Sequence, residues 1–436
     1  MFLQAAARRA SDMIKKVESK FFGESYYEVD HPTGLKIFVY PREGLKSAYA
    51  VIGTNFGSVN TRFKVDGGEE ITVPDGIAHY LEHKLFESEE CDAFARFAAT
   101  GADANAYTSF EKTCYLFSCS DNFEESLQIL LEFVQEPYFT AQTVEKEQGI
   151  IGQEIKMYDD SANWRVMFNT LVGMYKTHPV RIDIAGTVET IAEITAEKLY
   201  ECYNSFYNLH NMVLAVAGNV TPEQVLKIAD KTLKQNKVQK VETFFGEEPY
   251  EVDKDYVEQK FPVSIPMFNL GFKESVKDGK LDSKQYGCAD VLLHTLFSSS
   301  GELYNKLQDE NLINDSFGYD RMEGPGYAAT IVGGESRDPK RAANIIREHI
   351  KKLKKEGVPA DDFETAKRSL YGQLIRQFDS KTSMASSLLD FYFEGREYFT
   401  AAESVANATV EEANALLARL LDEENTTLSV VTGEGK

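Results

Sequence analysis

YLEHKLF at 80–86 and VLLHTLF at 291–297 are two versions of one heptapeptide, and IGQEIKM at 151–157 and YGQLIRQ at 371–377 are two versions of another. The pairs keep their order and lie 211 and 220 residues apart, so a modest insertion separates the copies. Solenoid repeats have periods of roughly 20–50 residues; a spacing of this size means a whole domain present twice. The second half must then repeat the element order of the first. A chain of 436 residues accommodates two such halves. The boundaries expected are 1–238 and 263–436, with the charged, Gly- and Pro-containing stretch 239–262 as a linker.

Alternation and β-branched residues predict strands at 34–41, 47–59, 103–110, 113–120 and 211–220. Helical periodicity predicts helices at 75–88, 122–135 and 140–158, and a further helix capped by Thr221. After the linker the pattern restarts. A strand is expected at 263–273, a helix at 285–298 and two strands around 315–334. Helices follow at 340–355, 360–378, 381–393 and 409–421, before a last strand, TTLSVVTG.

No window approaches the ~20 apolar residues of a membrane span, so no membrane association is expected. The opening segment, MFLQAAARRASDMIKK, reads as an amphipathic helix rather than a signal peptide. The five cysteines (Cys91, Cys114, Cys119, Cys202 and Cys288) form no CxxC pair. They read as buried small side chains in a reducing cytoplasm rather than as a disulfide framework. A net charge of −22 excludes simple electrostatic binding of nucleic acid and favours cationic ligands such as basic peptides.

The chemistry concentrates at GIAHYLEHKLFE, 76–87. His79 and His83 are four residues apart and share a helix face, so both imidazoles can reach one metal ion. Glu82 lies at the edge of that face, placed to contact a metal-bound water. Catalytic zinc takes three protein ligands and a water. VEKEQGIIGQEIKMY offers Glu147 and Glu154, two helical turns apart; either can bind while the other orients a histidine. The second copy replaces Glu82, Glu154 and Glu147 by Leu293, Leu374 and Lys367, and His83 by His294. Polar groups where the repeat is apolar need a compensating partner, and a metal would provide one.

HYLEH followed by EQGIIGQE about seventy residues on, with GADANAYTSFEKTCYLF and FYNLHNMVLAVAGNV, resembles the pitrilysin family of zinc peptidases over nearly the whole chain. That family includes insulin-degrading enzyme and mitochondrial processing peptidase; the nearest likeness is to bacterial processing-peptidase-like subunits. The resemblance implies an α+β fold: two homologous α/β-sandwich halves, each a mostly antiparallel sheet packed by helices, forming a clamshell around an unfolded peptide. It implies one zinc per chain, held by His79, His83 and Glu154. Glu82 would be the general base and Glu147 the acid that supports the site. NAYT would be an edge strand where Asn105, Ala106 and Tyr107 meet a peptide that adds to it as a further strand.

One departure stands out. Members active alone carry an Arg and a Tyr seven residues apart in the C-terminal half, where this chain has Gln308 and Asp315. Tyr319 and Arg321 lack the spacing. The departure implies a catalytic subunit that takes the pair from a homologous second subunit, or from a second copy of itself. The alternatives are a non-catalytic assembly subunit of the same fold, or a peptide-binding clamp.

Overall fold

The computed structural model describes residues 13–89, 92–275 and 280–433. Cys91 and the first twelve residues of the expected N-terminal helix lie outside the described residues. Ile14–Lys16, the end of that segment, form part of a strand instead. Ile14–Ser19 (β1) pairs antiparallel with Glu24–Asp30 (β2), and this non-local ladder overrides local helical preference.

The chain divides into two compact units that interleave in sequence. The first takes 1–153, 184–244 and 375–399; the second takes 154–183, 245–374 and 400–436.

The first unit is built on a seven-stranded sheet. Beyond β1 and β2 it contains Lys36–Pro41 (β3), Ala48–Thr54 (β4), Asp103–Thr108 (β7), Thr113–Cys119 (β8) and Met212–Gly218 (β9). Their order is β1-β2-β3-β9-β4-β8-β7. Only the β3–β9 pair is parallel. Strands β4 and β9 are buried throughout, as expected of central strands covered on both faces. On one face Phe117 meets Phe97 and Phe123, and Tyr115 meets Phe86 and Phe133. The other face is covered by the helix Lys381–Phe393, from the far end of the chain.

The second unit holds Tyr256–Lys260 (β11), Met267–Lys273 (β12), Gly318–Gly324 (β13), Tyr327–Glu335 (β14) and Thr426–Thr432 (β15), in the order β11-β15-β12-β14-β13. Only β11–β15 is parallel. This reproduces β3-β9-β4-β8-β7 strand for strand and direction for direction, so the repeat in the sequence is a repeat in the topology. The exchange of helices is repeated too: Ala162–Met174, from the first half of the chain, packs on β12 and β15. Matching glycines allow the close approach. A Cβ on Gly53 of β4 would come within 3.1 Å of Phe393 and 3.2 Å of Leu389. One on Gly271 of β12 would come within 2.6 Å of the Met174 sulfur.

The stretch 239–262 was expected to be a connection of little period, and here the structure corrects the expectation. Val241–Thr243 (β10) pairs with Arg62–Val65 (β5), which also pairs with Ile71–Thr72 (β6) in a small sheet, while β11 pairs with β15. Short alternations such as YVEQK are enough when a partner strand is waiting. The helix expected after Thr221 is present, and Thr221 and Gln224 form a capping box. Cys114, Cys119, Cys202 and Cys288 are buried free thiols.

Candidate metal centre

The helix Ile77–Leu85 starts at Gly76, whose φ of 87° is left-handed, and an added Cβ there would lie 2.4 Å from the Ala185 carbonyl oxygen. Only His83 is not buried in this helix. Tyr80, Leu81 and Leu85 enter the core, and the Tyr80 hydroxyl donates to the Val144 carbonyl of the helix Ala141–Asp159. Lys84 donates to the neighbouring Thr143 carbonyl at 3.2 Å. The first helix is thereby fixed against the second in both rotation and height.

On the remaining face the rings of His79 and His83 lie 4.6 Å apart between centroids. His83 Nδ1 is 3.0 Å from Glu147 Oε1. Donation from Nδ1 leaves Nε2 as the lone-pair nitrogen, the arrangement of a metal-ligating histidine backed by a carboxylate. That hydrogen bond, working against burial, holds the Glu147 carboxyl below the usual range. Two turns along, Glu154 completes a group of three. Ligand atoms of His79, His83 and Glu154 all lie within 4.8 Å of one another. Two imidazoles and one carboxylate form the donor set of zinc sites that keep an open position, so these residues fit the metal.

Glu82 is buried beside this group, and Oε2 accepts the Thr108 hydroxyl at 2.6 Å. The direction of that bond is fixed by its acceptor, since a carboxylate has no proton to give; Thr113, 3.4 Å from Thr108, donates its own proton to the Phe56 carbonyl at 2.8 Å.

Thr108 ends β7, and β7 is an edge strand of its sheet. Ala106 shares the Thr108 face by alternation, while Asn105 and Tyr107 project from the other. Asn105 is exposed, and its side-chain oxygen accepts the Ala106 amide at 2.8 Å. Tyr107 lies beside Cys114 and Asp390, and burial raises its hydroxyl pKa well above normal.

In the second copy His294, the counterpart of His83, meets hydroxyls instead: Tyr319 at 3.1 Å and Ser369 at 3.3 Å. Gln308 and Asp315 are exposed. The Arg321 side chain is 8% exposed and forked onto Glu274 at 3.0 and 2.8 Å, with Glu323 at 3.1 Å. Thr108 and Tyr158, a tyrosine that hydrogen-bonds Glu154, escape motif reading because neither belongs to the histidine motif. Among the described residues no helix is long and apolar enough to cross a membrane.

The chain belongs to the M16, insulinase-type family of peptidases. Residues 58–188 match the description Insulinase (Peptidase family M16), and residues 193–370 match Peptidase M16 inactive domain. It is 37% identical to a Bacillus subtilis protein described as uncharacterized zinc protease YmfH, over 92% of this chain and 95% of that one. An M16-like peptidase from Alicyclobacillus acidocaldarius has a similar crystal structure, with a TM-score of 0.90 at 33% identity, covering 97% of this chain and 99% of that chain. Pitrilysin shares the fold at 15% identity, with a TM-score of 0.71 over 96% of this chain and 46% of its own.

Proposed function

We propose that the chain is a zinc-dependent endopeptidase acting on unfolded peptides. The observation that carries this reading is the convergence of His79, His83 and Glu154 to within 4.8 Å, with the Glu82 carboxylate on the same helix and tied to an edge strand. Bound zinc would supply a Lewis acid that acidifies a water and polarises the scissile carbonyl.

The protein's own groups do the rest. Glu82 takes the proton of the attacking water and returns it to the leaving amine. Thr108 fixes the Glu82 carboxylate for both transfers. Glu147 keeps His83 in the tautomer that presents Nε2. A peptide adding to β7 is read through its backbone, which requires it to be extended, and Asn105, Ala106 and Tyr107 are the residues of that strand it would meet. The net charge of −22 draws basic peptides. Four buried free thiols favour a reducing compartment, and we read the protein as cytoplasmic.

We read this chain as one subunit of a two-subunit enzyme, and its two halves as products of a duplication. Gln308 and Asp315 do not replace an Arg and a Tyr, and Arg321 is committed to Glu274 and Glu323. A homologous subunit would bring the missing pair.

The test uses the tagged chain recovered with its native partners, in parent and Glu82→Gln forms. About one zinc per chain is expected in both by elemental analysis. Hydrolysis of an unfolded basic peptide should fall 10²-fold or more in the variant. Absence of zinc, or parental activity in Glu82→Gln, sinks the reading. Full activity of the isolated parent chain would remove the partner while leaving the peptidase.

A further inference from the structure

We propose that Tyr158 is a positioning residue for the metal centre: resting on the zinc reading above, its hydroxyl orients the Glu154 carboxylate, and Trp164 holds the Tyr158 ring in place. Tyr158 follows Glu154 by four residues, one turn along the same helix face. Its hydroxyl donates to Glu154 Oε1 at 2.9 Å. Glutamate has three rotatable side-chain bonds against two for histidine, so Glu154 is the ligand least able to orient itself. A neutral donor on one carboxylate oxygen restricts that rotation and leaves the ligand's negative charge in place.

The tyrosine is itself held. Its ring stacks on Trp164 with centroids 4.5 Å apart and planes at 18°. Trp164 lies in the first turn of the helix Ala162–Met174, where the Ser161 side chain caps its amide. The indole N–H donates to Asp183, and Phe168 packs 5.2 Å away. Glu154, Tyr158, Trp164 and Asp183 thus form a continuous run of contacts within one compact unit.

The repeat supplies an independent observation. At the offset of 220 that pairs IGQEIKMY with YGQLIRQF, Glu154 corresponds to Leu374 and Tyr158 to Phe378. The copy without the carboxylate keeps the aromatic ring and drops only the hydroxyl. Packing alone explains a ring in both copies; the hydroxyl accompanies the ligand it touches.

Trp164 is the chain's single tryptophan, so its emission reports on this run of contacts without interference. The experiment titrates zinc into metal-free parent and Tyr158→Phe proteins. Affinity is read by chelator competition, Trp164 emission is followed in parallel, and the melting temperature of each metal-free protein is recorded. Tyr158→Phe keeps the stacked ring. It should bind zinc 10-fold or more weakly, the lower end of what supporting hydrogen bonds to metal ligands contribute. The zinc-dependent change in Trp164 emission should shrink, and the metal-free melting temperature should stay the same. Parental affinity in Tyr158→Phe overturns the proposal and leaves the zinc reading standing. A melting temperature lowered together with affinity also overturns it, because Tyr158 is then a packing residue. A parent that binds no zinc overturns both.

Discussion

Replacing Lys273 by methionine should destabilise the second unit by several kcal/mol. The Lys273 ammonium donates to Glu248 Oε1 at 2.7 Å and to the carbonyls of Met174 and Glu251 at 2.8 and 3.1 Å. The two charged side chains are 3% and 6% exposed. Glu248 also gathers the amides of Lys176, Thr177 and His178 at 2.9, 2.7 and 2.8 Å. Burial would raise its carboxyl, but Lys273 and these amides hold it down at about 2. Methionine fills much of the volume and removes every donor, leaving a buried carboxylate and two carbonyls short of a partner. Breaking a buried pair in this way costs about 3–5 kcal/mol. The remaining amides put Glu248 at the low end, about 3 kcal/mol. In a unit of about 200 residues, that is roughly 6–12 °C in melting temperature. Calorimetry at neutral pH on parent, Lys273→Met and Lys273→Met/Glu248→Gln measures it. The double variant should recover part of the loss, since its buried group carries no charge. A single variant melting within about 2 °C of the parent would refute the reasoning, because the pair would then be hydrated and worth little.

Thr108→Val keeps the shape of the side chain and deletes the donor to Glu82. A hydrogen bond to a charged group is worth about 1.5–3 kcal/mol, so kcat should fall roughly 10- to 100-fold with zinc content unchanged, and Thr108→Ser should restore most of it. Parental kcat in the valine variant would show that Glu82 needs no such support. Acid should destabilise the second unit through His178, whose imidazole burial depresses to about 4, against the opposing pull of the Pro325 carbonyl and Glu248. Its folded pKa lies below the ordinary value of about 6.5, so its contribution is intact above about 6.5 and is lost as pH falls toward 4, up to about 3 kcal/mol. His178→Gln should flatten melting temperature against pH across that window; an equally steep variant would assign the slope to other groups.

Periodicity and caps make most of the elements legible, because an amphipathic face or a capping Thr221 is a local signal. The exchange of Ala162–Met174 and Lys381–Phe393 is not legible, since an apolar helix face does not say which sheet it will cover. The strand Tyr256–Lys260 is hidden by its charge, being at the sheet edge and half exposed. At the candidate metal centre, His79, Glu82 and His83 announce themselves by spacing, and Glu147 and Glu154 by lying two turns apart. Thr108 is brought to Glu82 by the end of an edge strand, which no spacing rule encodes. Tyr158 left a trace in the repeat, as a hydroxyl lost opposite Phe378, and that trace is visible only once the offset of 220 is carried past the motif.

The reciprocal exchange of helices has a consequence for synthesis on the ribosome. The first sheet gains its last strand with Met212–Gly218, yet the helix that covers β3, β4 and β9 arrives only with Lys381–Phe393. For more than 150 residues of elongation the nascent first unit presents an uncovered apolar sheet face. A half-chain ending near residue 238 should therefore aggregate when expressed alone and become soluble when a second polypeptide supplies the remaining segment in trans.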